Sequence, residues 1–264
     1  MIFPSVRNTP VSYTHLSLGI DVVVTDHHRP KEQLPQAYAV VDPYRPDDET
    51  TFKGLAGVGV AFKLVCALEE DIESMLDYYA ELVTIGTIAD VMPMSGENRV
   101  IVQRGLEKFS QTENIGLQAL MEVAGVAGKS ITSETVAFSI VPRINATGRL
   151  GHAKKAVDLL TTDDEEVAVG LAQEIDLQNR QRKALEEQIL EDISQTIKRN
   201  PTILYDRVLV LSGTGWHHGV VGIVAAKLVE KYGKPCFLIS CEGEEGRGSG
   251  RSVGDFSLFD ALCA

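Results

Sequence analysis

Two short apolar runs stand near the start of the chain. Residues 20–24 (IDVVV) and 37–41 (AYAVV) are mostly apolar, and an aspartate follows each run within two positions. Continuous, valine-rich runs of this length are typical of strands in a parallel sheet that is covered on both faces. We therefore predict a buried parallel strand over 20–24 and a second short strand over 37–41, before a turn at Asp42 and Pro43.

The next part of the chain predicts helices. Residues 54–68 mix glycines with apolar residues and indicate a glycine-rich entry into a helix, and 75–90 predict a mostly apolar helix that ends in GTIADV. Two further helices are expected at 134–140 and 153–160. The segment between them, VPRINATGRLGHA, contains proline and glycine, which predicts an irregular loop.

A long helix is predicted over 163–200. This segment has no proline and a single glycine, Gly170, and its apolar residues recur mostly four positions apart. Thr162 and Glu165 make a plausible capping box, and Pro201 follows the end. Such a helix would be on the order of 55 Å long. No sustained heptad of apolar residues is present, so we interpret it as a connector rather than a coiled coil.

The last part of the chain alternates strand and helix. We predict a strand over 208–211, a helix over 219–232, a strand over 236–240 and then a glycine-rich loop, EGEEGRGSGRS. Strands that alternate with helices indicate a parallel or mixed α/β sheet. The predicted fold class is therefore α/β, with two α/β units joined by the long helix.

Composition and charge narrow the class of protein. The 264 residues carry a net charge of −12, which argues against a generally basic surface for nucleic acid but not against a local basic groove. No apolar stretch is long enough for a membrane span and the N-terminus has no signal-peptide pattern, so we expect a cytoplasmic protein with no membrane partner. The four cysteines form no C-x-x-C pair and are interpreted as buried or incidental thiols.

The sequence TDHH places three candidate ligands directly after the first predicted strand. Open α/β sheets bind ligands at the carboxyl ends of their strands, and the side chains of Asp26, His27 and His28 suit Mn²⁺, Mg²⁺ or Zn²⁺. The alternative is that Asp26 caps a helix and both histidines are surface residues. Asp90 follows apolar residues, where a carboxylate needs a cation or hydrogen-bond donors; a buried, hydrogen-bonded aspartate is the alternative.

Two segments offer groups for binding phosphate. PRINATGR brings Arg143, Asn145 and Arg149 close together in the sequence, and guanidinium groups bind phosphate oxygens in a forked geometry. GRGSGRS places Ser249 and Arg251 on a glycine-rich backbone that could present N–H groups to an anion. The alternatives are a turn with exposed arginines in the first segment and a hairpin connection in the second.

Taken in order, these segments resemble the DHH phosphoesterases, and among them the single-stranded-DNA exonucleases. The likeness runs from about Leu18 to Leu262. In this family a DHH catalytic domain is joined by a long helix to a smaller DHHA1 domain. The matching stretches are GIDVVVTDHH, LPQAYAVVDPYRPDD, ELVTIGTIADVMPMSGENR, PRINATGRLGHAKKAVDLL, GWHHGVVGIVAAKLVEKYGKPCFLIS and GEEGRGSGRS.

The resemblance implies a two-ion site for Mn²⁺ or Mg²⁺ and hydrolysis of a phosphodiester. It makes His27 and Asp90 metal ligands, gives Asp26 the role of orienting the histidines, and places His28 against the scissile phosphate. We accordingly expect His27 and Asp90 to approach each other at the carboxyl end of the first strand, close enough to share one ion.

The resemblance also implies a substrate and partners. Asn145 and Arg149, with Arg143 beside them, correspond to phosphate binders, while Ser249 and Arg251 correspond to DHHA1 residues that hold the 5′ end of DNA. The implied substrate is single-stranded DNA, degraded from 5′ to 3′ in DNA repair and recombination. A single-strand-binding protein and a helicase are implied as partners.

The sequence departs from the family at both ends. It lacks the family's D-x-D-G motif, a second acidic motif before DHH and a later G-G-H motif. We therefore expect an internal piece with little activity: 1–17 foreign or unstructured, 18–162 a partial DHH catalytic domain, 163–200 the connecting helix and 201–264 a partial DHHA1 domain.

Two other functions stay open at this point. One is a DHH phosphodiesterase that acts on short oligonucleotides or cyclic dinucleotides. The other is a non-catalytic scaffold that resembles the exonucleases, although an intact Asp26-His27-His28 triplet and Asp90 argue against decay of the site.

Overall fold

The computed structural model describes residues 17–31 and 33–263, without the side chain of Phe259. The segment expected to be foreign or unstructured, 1–17, therefore lies outside the described residues except at Ser17. Packing divides the chain into two compact units. The first contains the described residues up to Glu113 together with Gly125–Val141, and the second contains Asn114–Ala124 together with the residues from Pro142 onward.

Both units combine strands with helices, which confirms the predicted α/β class. Short 3₁₀ turns lie at Phe109–Gln111 and Pro201–Tyr205, and a helical turn lies at Ser133–Thr135. No helix in the described part of the chain is both long enough and apolar enough to cross a membrane. The remaining elements are β1 (Val23–Thr25), β2 (Ala39–Val41), α1 (Gly57–Glu69), α2 (Ile72–Ala89), α3 (Gly96–Lys108), α4 (Ile115–Val123), α5 (Val141–Arg149), α6 (Lys154–Thr161), α7 (Glu165–Arg199), β3 (Leu209–Thr214), α8 (His218–Tyr232), β4 (Cys236–Glu242), β5 (Glu245–Arg251) and α9 (Leu258–Cys263).

The strands of the first unit, β1 and β2, pair in parallel as predicted. The predicted burial of the first strand is wrong, because Val23 of β1 is 51% exposed and Val41 of β2 is 38% exposed. In the described part of the chain these two strands form a sheet of their own. Helix α1 packs against β1, but the exposed valines of β1 and β2 show that the faces of this sheet are not fully covered.

Helices α1, α2 and α3 form the core of the first unit. The first two were predicted, whereas α3 was not. At Gly105 of α3, a Cβ atom would lie only 2.1 Å from Oγ1 of Thr84 on α2, so the glycine allows the two helix backbones to approach closely. The buried residues that the three helices share are Phe62, Cys66, Val83 and Ile101.

The predicted loop VPRINATGRLGHA is wrong over its first nine residues, which form α5. The turn before it, Val136–Ile140, is a π-helical turn, and the N–H of Val141 donates to the carbonyl of Val136, five residues back. Pro142 has no N–H to donate, and its ring would clash with the preceding carbonyl of a regular α-helix. The wider π turn directly before the proline relieves this conflict, so the helix continues. Gly151, with a φ of +86°, follows the end of α5.

The long helix of the second unit, α7, lies where the periodicity predicted it. The predicted capping box is wrong. Asp164 is the N-cap residue, and its carboxylate accepts hydrogen bonds from the N–H groups of Glu166 and Val167 at 2.9 and 3.0 Å. Thr162 instead accepts a hydrogen bond from the N–H of Asp164. A carboxylate is favoured at this position because it also faces the positive end of the helix dipole.

The sheet of the second unit has the order β3–β4–β5, with β4 parallel to β3 and β5 antiparallel to β4. The predicted glycine-rich loop is therefore wrong, since most of it forms β5. A Cβ atom at Gly250 would lie 2.7 Å from the ring of Phe237, and one at Gly248 would lie 3.2 Å from the carbonyl of Leu238. The glycines of β5 leave room for the side chains and backbone of β4.

Candidate functional site

The loop after β1 brings His27 to the end of helix α2. Asp26 extends the pairing of the two strands, because its N–H donates to the carbonyl of Val41 at 3.0 Å. Nε2 of His27 lies 3.2 Å from Oδ2 of Asp90. Asp90 is the C-cap residue of α2, and its N–H donates to the carbonyl of Gly86 at 3.1 Å. The predicted approach of His27 and Asp90 at the carboxyl end of β1 is confirmed.

Asp90 is not the buried, hydrogen-bonded aspartate of the alternative interpretation, because its side chain is 48% exposed while that of His27 is 15% exposed. The carbonyl groups at the C-terminal end of a helix carry partial negative charge, which disfavours a carboxylate unless a cation is near. The next residue, Val91, has a φ of +54°, which is strained for a β-branched side chain. Such strain is often found at functional sites.

Asp26 orients the two histidines that follow it. Its Oδ1 accepts hydrogen bonds from the N–H groups of His27 and His28 at 2.7 and 3.1 Å, and lies 2.8 Å from Nδ1 of His28. Partial burial acts to raise the pKa of Asp26, but the hydrogen bonds from His28 and from both N–H groups outweigh it, so this pKa lies below its ordinary value. Asp26 is therefore a carboxylate at neutral pH and holds the His28 ring in place.

The side chains at this edge of β1 supply two metal donors in direct proximity. An imidazole nitrogen and a carboxylate oxygen suit Mn²⁺ and Mg²⁺. Adjacent ligands in an octahedral shell with bonds of about 2.1 Å lie about 3 Å apart, close to the 3.2 Å between His27 and Asp90. Within 17–31 and 33–263, however, no three His, Cys, Asp or Glu side chains come together as a metal-binding group. His27 and Asp90 are donors of the type that suits Mn²⁺ or Mg²⁺, but the described residues bring together only these two.

The second unit contains a cluster of three guanidinium groups, which we call the arginine cluster: Arg149, Arg182 and Arg251. Arg149 is half-buried at the end of α5, and its Nη1 donates to the carbonyl of Gly219, in the first turn of α8, at 3.2 Å. Burial lowers the pKa of Arg149, and the positive charges of Arg182 and Arg251 lower it further, against the opposite effect of Glu186. Positive charge beside the N-terminus of a helix is a favourable environment for an anion.

Ser249 and Arg251 lie on the same face of β5, against α8. Nη1 of Arg251 donates to Oγ of Ser249 at 3.3 Å and to the carbonyl of Gly250 at 2.7 Å. A Cβ atom at Gly222 of α8 would lie 2.9 Å from that Oγ and 3.3 Å from Nη2 of Arg251. The glycine therefore lets both side chains lie against the second turn of the helix.

Asn145 and Arg143 lie in different surroundings on α5. Asn145 is exposed one helical turn before Arg149. Arg143 is 15% exposed, pairs with Asp176 at 2.9 Å and also donates to the carbonyl of Val123. These contacts occupy its guanidinium group with partners of its own unit.

Sequence reasoning missed Arg182, the most buried member of the arginine cluster. It is 9% exposed on α7, and its Nη1 donates to Oε2 of Glu186 at 2.7 Å, while Glu186 also pairs with Lys227. The spacing of residues along α7 contained a signal that could have identified Arg182. The buried face of α7 runs through Ile175, Gln178, Arg182, Glu186 and Ile189, so two charged residues occupy positions where apolar ones are expected.

The comparisons with known proteins agree with this geometry. The family model described as "DHH family, N-terminal domain" matches residues 5–87 and so begins ahead of Leu18. The single-stranded-DNA-specific exonuclease RecJ of Bacillus subtilis is 40% identical over 247 residues, which are 93% of this chain and 31% of that protein. The chain thus spans about a third of the length of this relative.

Two solved structures of RecJ from Thermus thermophilus, each 37% identical to the chain, have the same fold. The one in complex with Mn²⁺ matches with a TM-score of 0.82, covering 97% of this chain and 38% of the solved one. The one in complex with Mg²⁺ matches with a TM-score of 0.75, covering 93% and 36%. The chain therefore belongs to the DHH phosphoesterase family, as a homologue of the RecJ single-stranded-DNA-specific exonucleases.

Proposed function

We propose that this chain takes part in the metal-dependent hydrolysis of single-stranded DNA from its 5′ end, in DNA repair and recombination. The observation that carries the proposal is the pair formed by His27 and Asp90. These residues are far apart in the sequence, yet the fold holds Nε2 and Oδ2 3.2 Å apart at the carboxyl end of β1. They belong to a homologue of the RecJ exonucleases, and both Mn²⁺ and Mg²⁺ are present in structures of relatives.

His27 and Asp90 would hold one Mn²⁺ or Mg²⁺ ion. When bound, such an ion lowers the pKa of a coordinated water and neutralises charge on the phosphate. The cation would also stabilise Asp90 at the negative end of helix α2. His27 would bind the ion through its Nε2, the nitrogen that faces Asp90.

His28 would contact the phosphate that is cleaved. Its side chain is 77% exposed, and its Nδ1 is engaged by Asp26, which leaves Nε2 for the substrate. With a proton on each ring nitrogen, Nδ1 donates to Asp26 while Nε2 donates to a phosphate oxygen. Asp26 is therefore proposed to act through His28 rather than on the substrate itself.

The arginine cluster, with Ser249, is proposed to bind phosphate groups of the strand. Three guanidinium groups with one nearby carboxylate, Glu186, leave excess positive charge in a protein whose net charge is −12. Asn145 is exposed on the same helix as Arg149 and adds a neutral donor. We leave Arg143 out of this site, because Asp176 already occupies its guanidinium group.

Replacing Arg251 tests the phosphate contact. Arg251→Ala should weaken binding of single-stranded DNA, and the slope of log affinity against log salt should fall in magnitude by about 0.7, because one phosphate contact releases that much counterion from a single strand. Fluorescence anisotropy at several salt concentrations measures both quantities. Lys231→Ala is the matched control: it removes one positive charge from the far end of α8, about 13 Å along the helix from Gly222. An unchanged slope in Arg251→Ala would contradict the assignment.

The family resemblance supports three further proposals. We propose a single-strand-binding protein and a helicase as partners, since both handle the strand that such an exonuclease consumes. We propose a cytoplasmic location, where bacterial DNA is repaired. We also retain the division into a DHH catalytic part (18–162), a connecting helix (163–200) and a DHHA1 part (201–264), which rests on the order of the motifs along the chain.

A further inference from the structure

The buried side chain of Asn98, in the first turn of helix α3, joins two segments of the first unit that are distant in the sequence. Asn98 is 1% exposed. Its Nδ2 donates one hydrogen bond to the carbonyl of Gly54 at 2.6 Å and another to the carbonyl of Pro93 at 3.0 Å. Because both partners are acceptors, they require the NH₂ group on this side of the amide. Asn98 therefore ties the segment before α1 to the segment between α2 and α3.

The segment that begins at Gly54 supports the ring of His27. Gly57 is the first residue of α1, and a Cβ atom there would lie 3.3 Å from Cδ2 and 3.8 Å from Nε2 of His27. The imidazole thus lies against the backbone of Gly57, where a side chain would press on it. Leu55 and Ala56, between the two glycines, are both buried. A displacement of Gly54 would therefore also move the backbone on which the His27 ring rests.

The segment that ends at Pro93 carries Asp90. Pro93 follows Asp90, the C-cap residue of α2, by three positions. The end of α2 lies directly against the start of α1, because a Cβ atom at Gly86 would lie only 2.5 Å from Cγ1 of Val58. The two hydrogen bonds of Asn98 hold together the backbone on either side of this close contact, where the two metal donors meet.

The amide of Asn98 contributes through these two donated hydrogen bonds rather than through apolar packing. Its Oδ1 is buried and accepts no hydrogen bond from any residue that the structure describes. A buried acceptor without a donor destabilises the folded chain. An apolar side chain of the same size would avoid that cost, but it would leave the carbonyls of Gly54 and Pro93 without this donor.

We propose that Asn98 is a positioning residue for the metal site, because it fixes the segments that carry His27 and Asp90 relative to each other. Gly57 is the point at which the first segment supports the His27 ring. Since the role of Asn98 is to keep Nε2 and Oδ2 at a separation that one ion can bridge, the inference rests on the proposed function.

Binding of Mn²⁺ to the 264-residue chain tests this role, at a temperature where every variant is folded. Asn98→Ala should weaken binding about tenfold, the lower end of the loss expected when a group that supports a metal ligand is removed. The double variant His27→Ala/Asn98→Ala should bind no more weakly than His27→Ala alone, because a single remaining donor gains nothing from being held beside the other. A merely structural role would lower the affinity by the same factor whether His27 is present or not.

Two further variants separate positioning from stability. Asn114→Ala, in the second unit, removes an amide that donates to the carbonyl of Leu160 at 2.9 Å and caps α4. It should lower the melting temperature and leave Mn²⁺ binding unchanged. Gly57→Ala removes no side-chain hydrogen bond, and alanine forms helix better than glycine, so the melting temperature should not fall. It should nevertheless weaken Mn²⁺ binding several-fold, because the new methyl group presses on the His27 ring.

Unchanged Mn²⁺ binding in Asn98→Ala, together with weaker binding in His27→Ala, would overturn the positioning role and leave the proposed function standing. Equal losses from Asn98→Ala with and without His27 would overturn it as well. If Asn98→Ala does not fold, Gly57→Ala decides, since unchanged binding in that variant means that the segment before α1 does not position His27. If the wild-type chain binds no Mn²⁺, the positioning role and the proposed function fall together.

Discussion

In the presence of Mn²⁺ or Mg²⁺, the 264-residue chain is expected to release mononucleotides from single-stranded DNA at least about a thousandfold more slowly than the RecJ exonucleases it resembles. Hydrolysis by two ions needs ligands that hold both ions a few ångströms apart and fix the attacking water. The described residues bring together two donors, His27 and Asp90, and no group of three. Loss of the second ion removes several kcal/mol of transition-state stabilisation, and about 4 kcal/mol is a thousandfold in rate.

The assay is mononucleotide release from a labelled, 5′-phosphorylated single strand, with RecJ of Thermus thermophilus as the reference. His27→Ala controls for a contaminating nuclease, because release that is the same in the variant does not come from this site. Release at a rate close to the reference that disappears in His27→Ala would contradict the expectation. It would mean that other residues of this chain complete the two-ion site.

Glu186→Ala should lower the free energy of unfolding by about 3–5 kcal/mol, the range for breaking a buried ion pair by removing one partner. Glu186 is 5% exposed, accepts a hydrogen bond from Arg182 at 2.7 Å and pairs with Lys227. Without it, the buried Arg182 would lose its ion-pair partner while it still interacts with the positive charge of Arg149.

Urea unfolding measures this effect, and Glu187→Ala is the matched control because Glu187 is the exposed neighbour on the same helix. The control should change the free energy of unfolding by no more than about 0.5 kcal/mol. Inorganic phosphate should restore part of the lost stability in Glu186→Ala, since an anion at the arginine cluster replaces the missing charge. If Glu186→Ala lowered the free energy of unfolding by less than about 1 kcal/mol, the buried Arg182 would not need Glu186 for its stability.

The approach of His27 to Asp90 could be predicted because it follows from motif order and from the rule that parallel strands present ligands at their carboxyl ends. The long helix could be predicted because its pattern extends over many turns. The exposure of β1 could not be predicted, because a run of valines looks the same in the sequence whether one strand or several lie beside it. The exposure of Asp90 depends on where α2 ends, which is a local detail that apolar spacing does not determine.

Proline and glycine were the residues whose effects were misjudged. The segment around Pro142 was predicted to be an irregular loop, whereas a π-helical turn directly before the proline is followed by helix α5. The glycines of β5 were interpreted as part of a loop, whereas they leave room for the adjacent strand β4: Gly250 for the ring of Phe237 and Gly248 for the carbonyl of Leu238. Arg182 escaped notice because long-helix charges are usually solvated. Its position on the apolar face was the available signal.

The decisive measurement for the pair formed by His27 and Asp90 is binding of Mn²⁺ to the 264-residue chain. Electron paramagnetic resonance reports the free ion during a titration at neutral pH. We expect the wild-type chain to bind Mn²⁺ and His27→Ala and Asp90→Asn each to weaken this binding by at least about tenfold, since even loss of a group that supports a ligand weakens metal affinity 10- to 100-fold. His218→Ala, which removes an exposed histidine of the second unit, should bind as the wild type does. Unchanged binding in both His27→Ala and Asp90→Asn would mean that His27 and Asp90 do not hold the ion.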